Sequence, residues 1–116
     1  MGDGKLGTVR ISPQVLATIA RLTTVSVPGV ASLYHDFSSD VGRLFRGKGG
    51  GGVSVEVVDG AVRVDLGIVA DKDVNLYDLG LEIQTQVARA IKEMVGMPVL
   101  AVNVHIANVA MGLSAE

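Results

Sequence analysis

The sequence predicts an α/β fold: a two-layer sandwich in which a three-stranded mixed sheet carries two main helices on one face. Apolar residues alternate with polar ones in three segments, and they recur at spacings of three and four in two others. The order of these segments is α-β-β-α-β. Each strand is apolar on one side only, so one layer of helices covers the sheet. The helix between the second and third strands makes a right-handed crossover, which leaves those two strands parallel.

Composition narrows the class of protein. The 116 residues suffice for one domain, and 48% hydrophobic with 19% charged residues favours a packed core. Aromatic residues amount to only 3%, which argues against base-stacking platforms for single-stranded nucleic acid. The net charge of -2 argues against a general polyanion binder. The chain has no cysteine, so disulfides, thiolate metal sites and thiol nucleophiles are excluded.

The first helix begins at Ser12-Pro13. Ser12 can accept a hydrogen bond from a free backbone N–H, and Pro13 needs no such bond at the first helical position. Pro28-Gly29 ends the segment. Its apolar stripe is predicted to consist of Val15, Leu16, Ile19 and Leu22.

A short amphipathic segment is expected over residues 38–46, followed by a glycine run. Phe37, Leu44 and Phe45 lie on one side of this segment, and Arg43, Arg46 and Lys48 form a basic flank. The apolar residues either pack beside the core or, with the basic ones, contact a partner or an anionic membrane surface. Five of the 15 glycines fall within 47–52, which indicates a linker.

The hairpin after the linker is the clearest signal. Asp59-Gly60 supplies a tight turn between two alternating segments. The inward positions are Val53, Val55 and Val57 before the turn and Val62, Val64, Leu66 and Ile68 after it.

A long helix and a last strand complete the domain. Asn75 is the expected N-cap of the helix, and Gly96 with Pro98 ends it. The last strand then alternates, with Asn103 and His105 outward and Val102, Val104 and Ile106 inward. Whether it lies beside the first or the second strand of the hairpin stays open.

The predicted organisation is a flexible N-terminus at 1–8, a single domain at 9–109 with the Gly-rich linker at 47–52, and a short tail at 110–116. No transmembrane segment is expected, because the most apolar stretch, 94–102, is too short to span a membrane and is interrupted by glycine and proline. The ten predicted core residues are Leu16, Ile19, Val55, Val64, Leu66, Ile83, Val87, Ile91, Val104 and Ile106.

No residue pattern predicts a catalytic centre, a cofactor site or a metal site, so the expectation is a protein that is not an enzyme. His105 near carboxylates is the one possible general base, but such a set is more often a solvated sheet surface. Gly47-Lys48-Gly49-Gly50 matches the G-x-x-G phosphate clamp of K-homology domains, although that loop joins two helices and here a strand follows. A small K-homology-like nucleic-acid-binding module is therefore the alternative hypothesis.

Four segments resemble the bacterial alkaline shock protein family of envelope stress response proteins. They are Val9-Arg10-Ile11-Ser12-Pro13-Gln14-Val15, Val27-Pro28-Gly29-Val30, Gly52-Val53-Ser54-Val55-Glu56-Val57 and Val102-Asn103-Val104-His105-Ile106. The resemblance covers roughly residues 9–109. It implies a non-enzymatic cytoplasmic protein, peripheral at the inner face of the cell membrane, that self-associates or docks on a membrane-anchored protein partner. It implies no catalytic residues, and the residues themselves give no reason to expect a cofactor or a nucleic-acid partner.

The surface expected to serve such association lies on the hairpin and the last strand. A three-stranded sheet has two edges with unpaired backbone groups, and the last strand carries no Lys, Arg, Asp or Glu. The candidate interface residues are Arg63, Asp65, Asn103, His105 and Ile106.

Overall fold

The computed structural model describes residues 6–34 and 48–111, and its elements follow the expected order with two short strands added. These elements are α1 (Pro13–Ser26), β1 (Val30–Leu33), β2 (Lys48–Gly50), β3 (Val53–Val58), β4 (Ala61–Asp71), α2 (Leu76–Val95) and β5 (Val99–Ala110). The predicted segment 38–46 lies outside the described residues, as do Phe37, Arg43, Leu44, Phe45 and Arg46.

The five strands form one mixed sheet centred on β4. On one side β4 pairs antiparallel with β3 over residues 61–66 and with β1 over residues 68–70. On the other side it pairs with β5 in parallel along nearly its whole length. β2 pairs antiparallel with the outer edge of β3. The predicted parallel crossover is confirmed, and the last strand lies beside the second strand of the hairpin.

The predicted count of three strands was too low. β1 has four residues and β2 only three, Lys-Gly-Gly, so neither is long enough to show an alternating pattern. Both are strands because a neighbouring strand supplies their hydrogen bonds, which no local pattern reveals. Five of the six residues of the predicted linker therefore belong to β2 or to the turn at 51–52.

The two helices cover one face of the sheet and share its core. Along β4, every residue from Val62 to Ala70 on this face has no exposed surface, while Arg63 and Asp65 on the other face are partly exposed. One cluster joins these residues to both helices. Seven of the ten predicted core residues are buried, and Ile19, Val104 and Ile106 are partly buried against the same cluster.

The helix caps agree with prediction, but the orientation of α1 does not. Ser12 Oγ accepts from the Gln14 N–H at 3.2 Å, and Asn75 Oδ1 accepts from the Asp78 N–H at 2.9 Å. The predicted stripe placed Val15 and Leu22 inward, whereas both are exposed. The buried residues of α1 are Leu16, Ala17, Ala20 and Thr24. Small side chains face inward because they let the helix approach the sheet closely, and Thr24 Oγ1 donates to the Ala20 carbonyl at 2.7 Å.

A glycine pair joins β1, β3 and β4 at one point. The Gly67 N–H donates to the Gly52 carbonyl, and the Gly67 carbonyl accepts from the Tyr34 N–H, each at 2.9 Å. Gly52 has φ +93°, and a Cβ there would lie 3.1 Å from the backbone oxygens of both Gly67 and Tyr34. Only glycine satisfies both the conformation and the spacing.

We expect Ile83→Ala to lower the free energy of unfolding by about 2–4 kcal/mol, because it leaves a cavity in the shared core. Ile83 is fully buried on α2, whereas Leu81 on the same helix is 45% exposed and serves as the control. Urea unfolding at low protein concentration measures both. Equal losses in Ile83→Ala and Leu81→Ala would contradict the described packing.

We expect Gly52→Ala to cost about 2–3 kcal/mol, since it combines a left-handed backbone with backbone clashes. The matched control is Gly51→Ala, where φ is +60° and a Cβ meets no atom of the described residues within 4 Å. That change should cost only about 1 kcal/mol, from the backbone conformation alone. Urea unfolding of the two variants tests the junction, and a control as destabilised as Gly52→Ala would refute it.

Candidate functional site

The longest exposed feature of the sheet is the outer edge of β5. β5 pairs with β4 alone, so its other edge meets no strand among the residues described. Its twelve residues include no Lys, Arg, Asp, Glu or Pro. Charged residues and prolines are what soluble proteins usually place on an edge to prevent strand pairing. The β5 edge is therefore open to another strand.

Two features limit how regular this edge is. The register with β4 shifts between Val62 and Arg63 and again between Ile68 and Val69, so Leu100 and Ala107 are extra residues in β5. Such bulges are common at sheet edges. In addition, Gln84 Nε2 of α2 donates to the Val102 carbonyl at 3.1 Å, which links the helix to the strand near its start.

An apolar groove runs between α2 and β5, on the helix-covered side of the sheet. Its volume is about 450 Å³. The described residues that line it are all uncharged: Leu76, Tyr77, Gly80, Leu81, Gln84, Val104 and Ile106. Tyr77 is 76% exposed, and Val104 and Ile106 of β5 are only partly buried. This groove is continuous with the β5 edge and is called the α2–β5 groove below.

The open face of the sheet carries four of the five predicted interface residues. Arg63 forms a salt bridge with Glu56 across the β3–β4 pair, and Asn103 Nδ2 donates to Asp65 Oδ1 at 2.9 Å. His105 lies on the same face, opposite Gly67 in the β4–β5 register.

The fifth residue, Ile106, points the other way and lines the α2–β5 groove. Arg63 and Asp65 belong to the central strand, so they can meet a partner only through the open face and not through an edge. The proposed role of all five in an interface stays a prediction.

A second exposed apolar surface lies on α1. Val15, Leu22 and Val25 are 46%, 59% and 45% exposed, and together they form what we call the α1 outer face. Arg21 is the only charged residue of α1. The outer face of α2 differs, because it carries charged residues such as the ion pair between Arg89 and Glu93 at 3.4 Å. Sequence reasoning missed the α1 outer face because it placed Val15 and Leu22 on the same apolar stripe as Leu16 and Ile19.

The glycine run does not have the setting of a K-homology clamp. Lys48–Gly50 form β2, with Lys48 opposite Val55 in an antiparallel pair, and Gly47 lies outside the described residues. The clamp loop of those domains joins two helices. In the part of the chain that the structure describes, no group of three or more His, Asp or Glu side chains is arranged to hold a metal ion.

Within residues 6–34 and 48–111, neither helix is long and apolar enough to span a membrane. The fold itself is similar to a solved structure of a triply substituted MamM CTD, with a TM-score of 0.51 and 16% identity. That match covers 82% of this chain and 93% of the other. It shows a shared fold.

Sequence comparison gives the family. The chain is 26% identical to the uncharacterized protein YqhY of Bacillus subtilis (strain 168), over 98% of this chain and 85% of that protein. It is 31% identical to the uncharacterized protein Spy1535 of Streptococcus pyogenes serotype M6, over 87% of this chain and 78% of that protein. Residues 1–111 match the model of the alkaline shock protein family, which is described as having a cell envelope-related function. The resemblance seen in the four sequence segments is thus confirmed, and the chain belongs to the alkaline shock protein family.

Proposed function

We propose that this protein is a non-enzymatic scaffold of the cell-envelope stress response, which acts by self-association and by docking to a membrane-proximal protein partner. The cell envelope-related function of its family supports the envelope setting. The proposal includes a cytoplasmic location, peripheral at the inner face of the cell membrane. Phe37, Leu44 and Phe45, with Arg43, Arg46 and Lys48, are its sequence-based candidates for the membrane or partner contact.

The observation that carries the scaffold proposal is the β5 edge. The outer edge of this twelve-residue strand pairs with no other strand among the described residues, and no Lys, Arg, Asp, Glu or Pro of β5 opposes a further strand. Backbone hydrogen bonds from strand addition supply affinity without requiring a particular side-chain sequence. A small domain with such an edge is suited to binding copies of itself or a partner strand, which is what a scaffold requires.

We expect Leu100→Glu to weaken self-association at least tenfold, because it places a charge on the β5 edge, where a second strand would bury it. The matched control is Leu22→Glu on α1, since Leu100 is 56% and Leu22 is 59% exposed. Because both side chains are more than half exposed, we expect a charge at either position to change the stability of the monomer little. Light scattering over a concentration series measures the association of the wild type and both variants.

Three outcomes separate the possibilities. Loss of association in Leu100→Glu alone supports the β5 edge. Loss in Leu22→Glu alone moves the interface to the α1 outer face. A wild type that stays monomeric at high concentration, and retains no partner from a membrane fraction in a pull-down, contradicts the scaffold function.

A further inference from the structure

Gly80 is a residue whose presence the packing of residues 6–34 and 48–111 does not explain. It lies inside the 20-residue helix α2, where glycine destabilises a helix relative to alanine. A Cβ built at Gly80 meets no atom of the described residues within 4 Å, and the backbone there is not left-handed. Neither packing nor conformation in the described part of the chain therefore requires glycine at this position.

The position of Gly80 suggests a role in binding a second molecule. It lines the α2–β5 groove between Tyr77 and Leu81, where the missing side chain leaves the helix backbone open to close approach. Tyr77, one turn earlier, is 76% exposed. Large exposed tyrosines are among the side chains that carry most binding energy at protein interfaces. When a glycine lies one turn from an exposed aromatic residue on a helix, the aromatic side chain of one copy can pack against the glycine of a second copy.

The charges around the groove favour a second copy of this chain as its occupant. A two-fold interface brings each residue near its own counterpart, so any charged residue near the axis would be repelled. None of the seven groove residues and none of the twelve β5 residues is Lys, Arg, Asp or Glu. Such a surface is complementary to itself, whereas a strongly charged partner peptide would find no counter-charge in the groove.

The available area indicates how strong such an interface is. β5 is about 40 Å long and α2 beside it is about 10 Å across, so the edge and the groove offer about 400 Å² per copy. This is about half of the roughly 800 Å² per partner in a standard interface, so we expect a weak, concentration-dependent association.

We infer that two copies associate about a two-fold axis at the α2–β5 groove, with their β5 strands antiparallel and Tyr77 of each copy packed over Gly80 of the other. The sheet then continues through both copies, and the two α2 helices flank the axis. This inference rests on the proposed self-association and specifies its surface. It assigns Gly80 to the interface rather than to the fold.

The test separates stability from association at a single position. Gly80→Ala should raise the thermal midpoint of the monomer by about 4 °C, since alanine is the better helix former. Gly80→Leu should weaken self-association at least tenfold, about 1.4 kcal/mol, because its side chain occupies the place of the second copy's Tyr77. Tyr77→Ala should weaken association to a similar extent without unfolding the chain, as the side chain is exposed.

The control is Thr85→Ala, an exposed position of α2 that does not line the groove. It should raise the thermal midpoint and leave association unchanged. Sedimentation equilibrium gives the dissociation constants, and thermal unfolding at low concentration gives the monomer stabilities.

The outcomes distinguish this inference from the proposed function. If Gly80→Leu and Tyr77→Ala associate like the wild type while Leu100→Glu does not, the inference is wrong and the scaffold function stands on edge pairing alone. If Leu22→Glu alone prevents association, the inference is wrong and the α1 outer face is the interface. If the wild type never associates, both the inference and self-association fail.

Discussion

The central strand β4 is the constraint on which the rest of the structure depends. It hydrogen-bonds to β3 and β1 on one side and to β5 on the other, so three strands are positioned by one. Its inward residues from Val62 to Ala70 have no exposed surface, and both helices pack against them. A strand this apolar on one face and paired on both sides is stable only at the centre of a sheet. The other strands therefore pair with one side of β4 or the other, or, in the case of β2, with the outer edge of β3.

The free edge follows from that arrangement. Because β4 is central and β3 and β1 share one of its sides, β5 takes the whole of the other side and its outer edge is left unpaired among the residues that the structure describes. α2 returns the chain from the end of β4 to the start of β5 and lies between them on the helical layer. It covers the core fully but leaves Val104 and Ile106 partly exposed, and this incomplete cover creates the groove.

Gly52 and Gly80 illustrate the difference between a glycine that the fold requires and a glycine that the fold does not require. Gly52 is required by the fold, since its φ is positive and a side chain would strike the backbone oxygens of Gly67 and Tyr34. Gly80 weakens its helix, and the described residues around it leave space for a side chain. A residue that lowers stability without a reason inside the monomer is expected where a second molecule approaches. The distribution of charge is consistent with an interface at the groove, because the outer face of α2 carries charged residues and the residues that line the groove are uncharged.

The sequence by itself determined the class of fold, the hairpin, both helix caps and most of the core. Asp59-Gly60, Asn75 and Gly96 act through local backbone geometry, and alternation reports which face of a strand is buried, so these features are readable from neighbouring residues. The family, too, was evident from short local segments.

Only the tertiary structure decided which strand is central, which face of α1 is inward, and that a segment as short as Lys48–Gly50 forms a strand. These depend on contacts between residues far apart in the chain. α1 is apolar on both sides, so its periodicity cannot select the buried one; the close approach of the helix to the sheet selects Ala17 and Ala20 over Val15 and Leu22. The α2–β5 groove has no sequence signature for the same reason, because it exists only where a helix and an edge strand from separate segments meet.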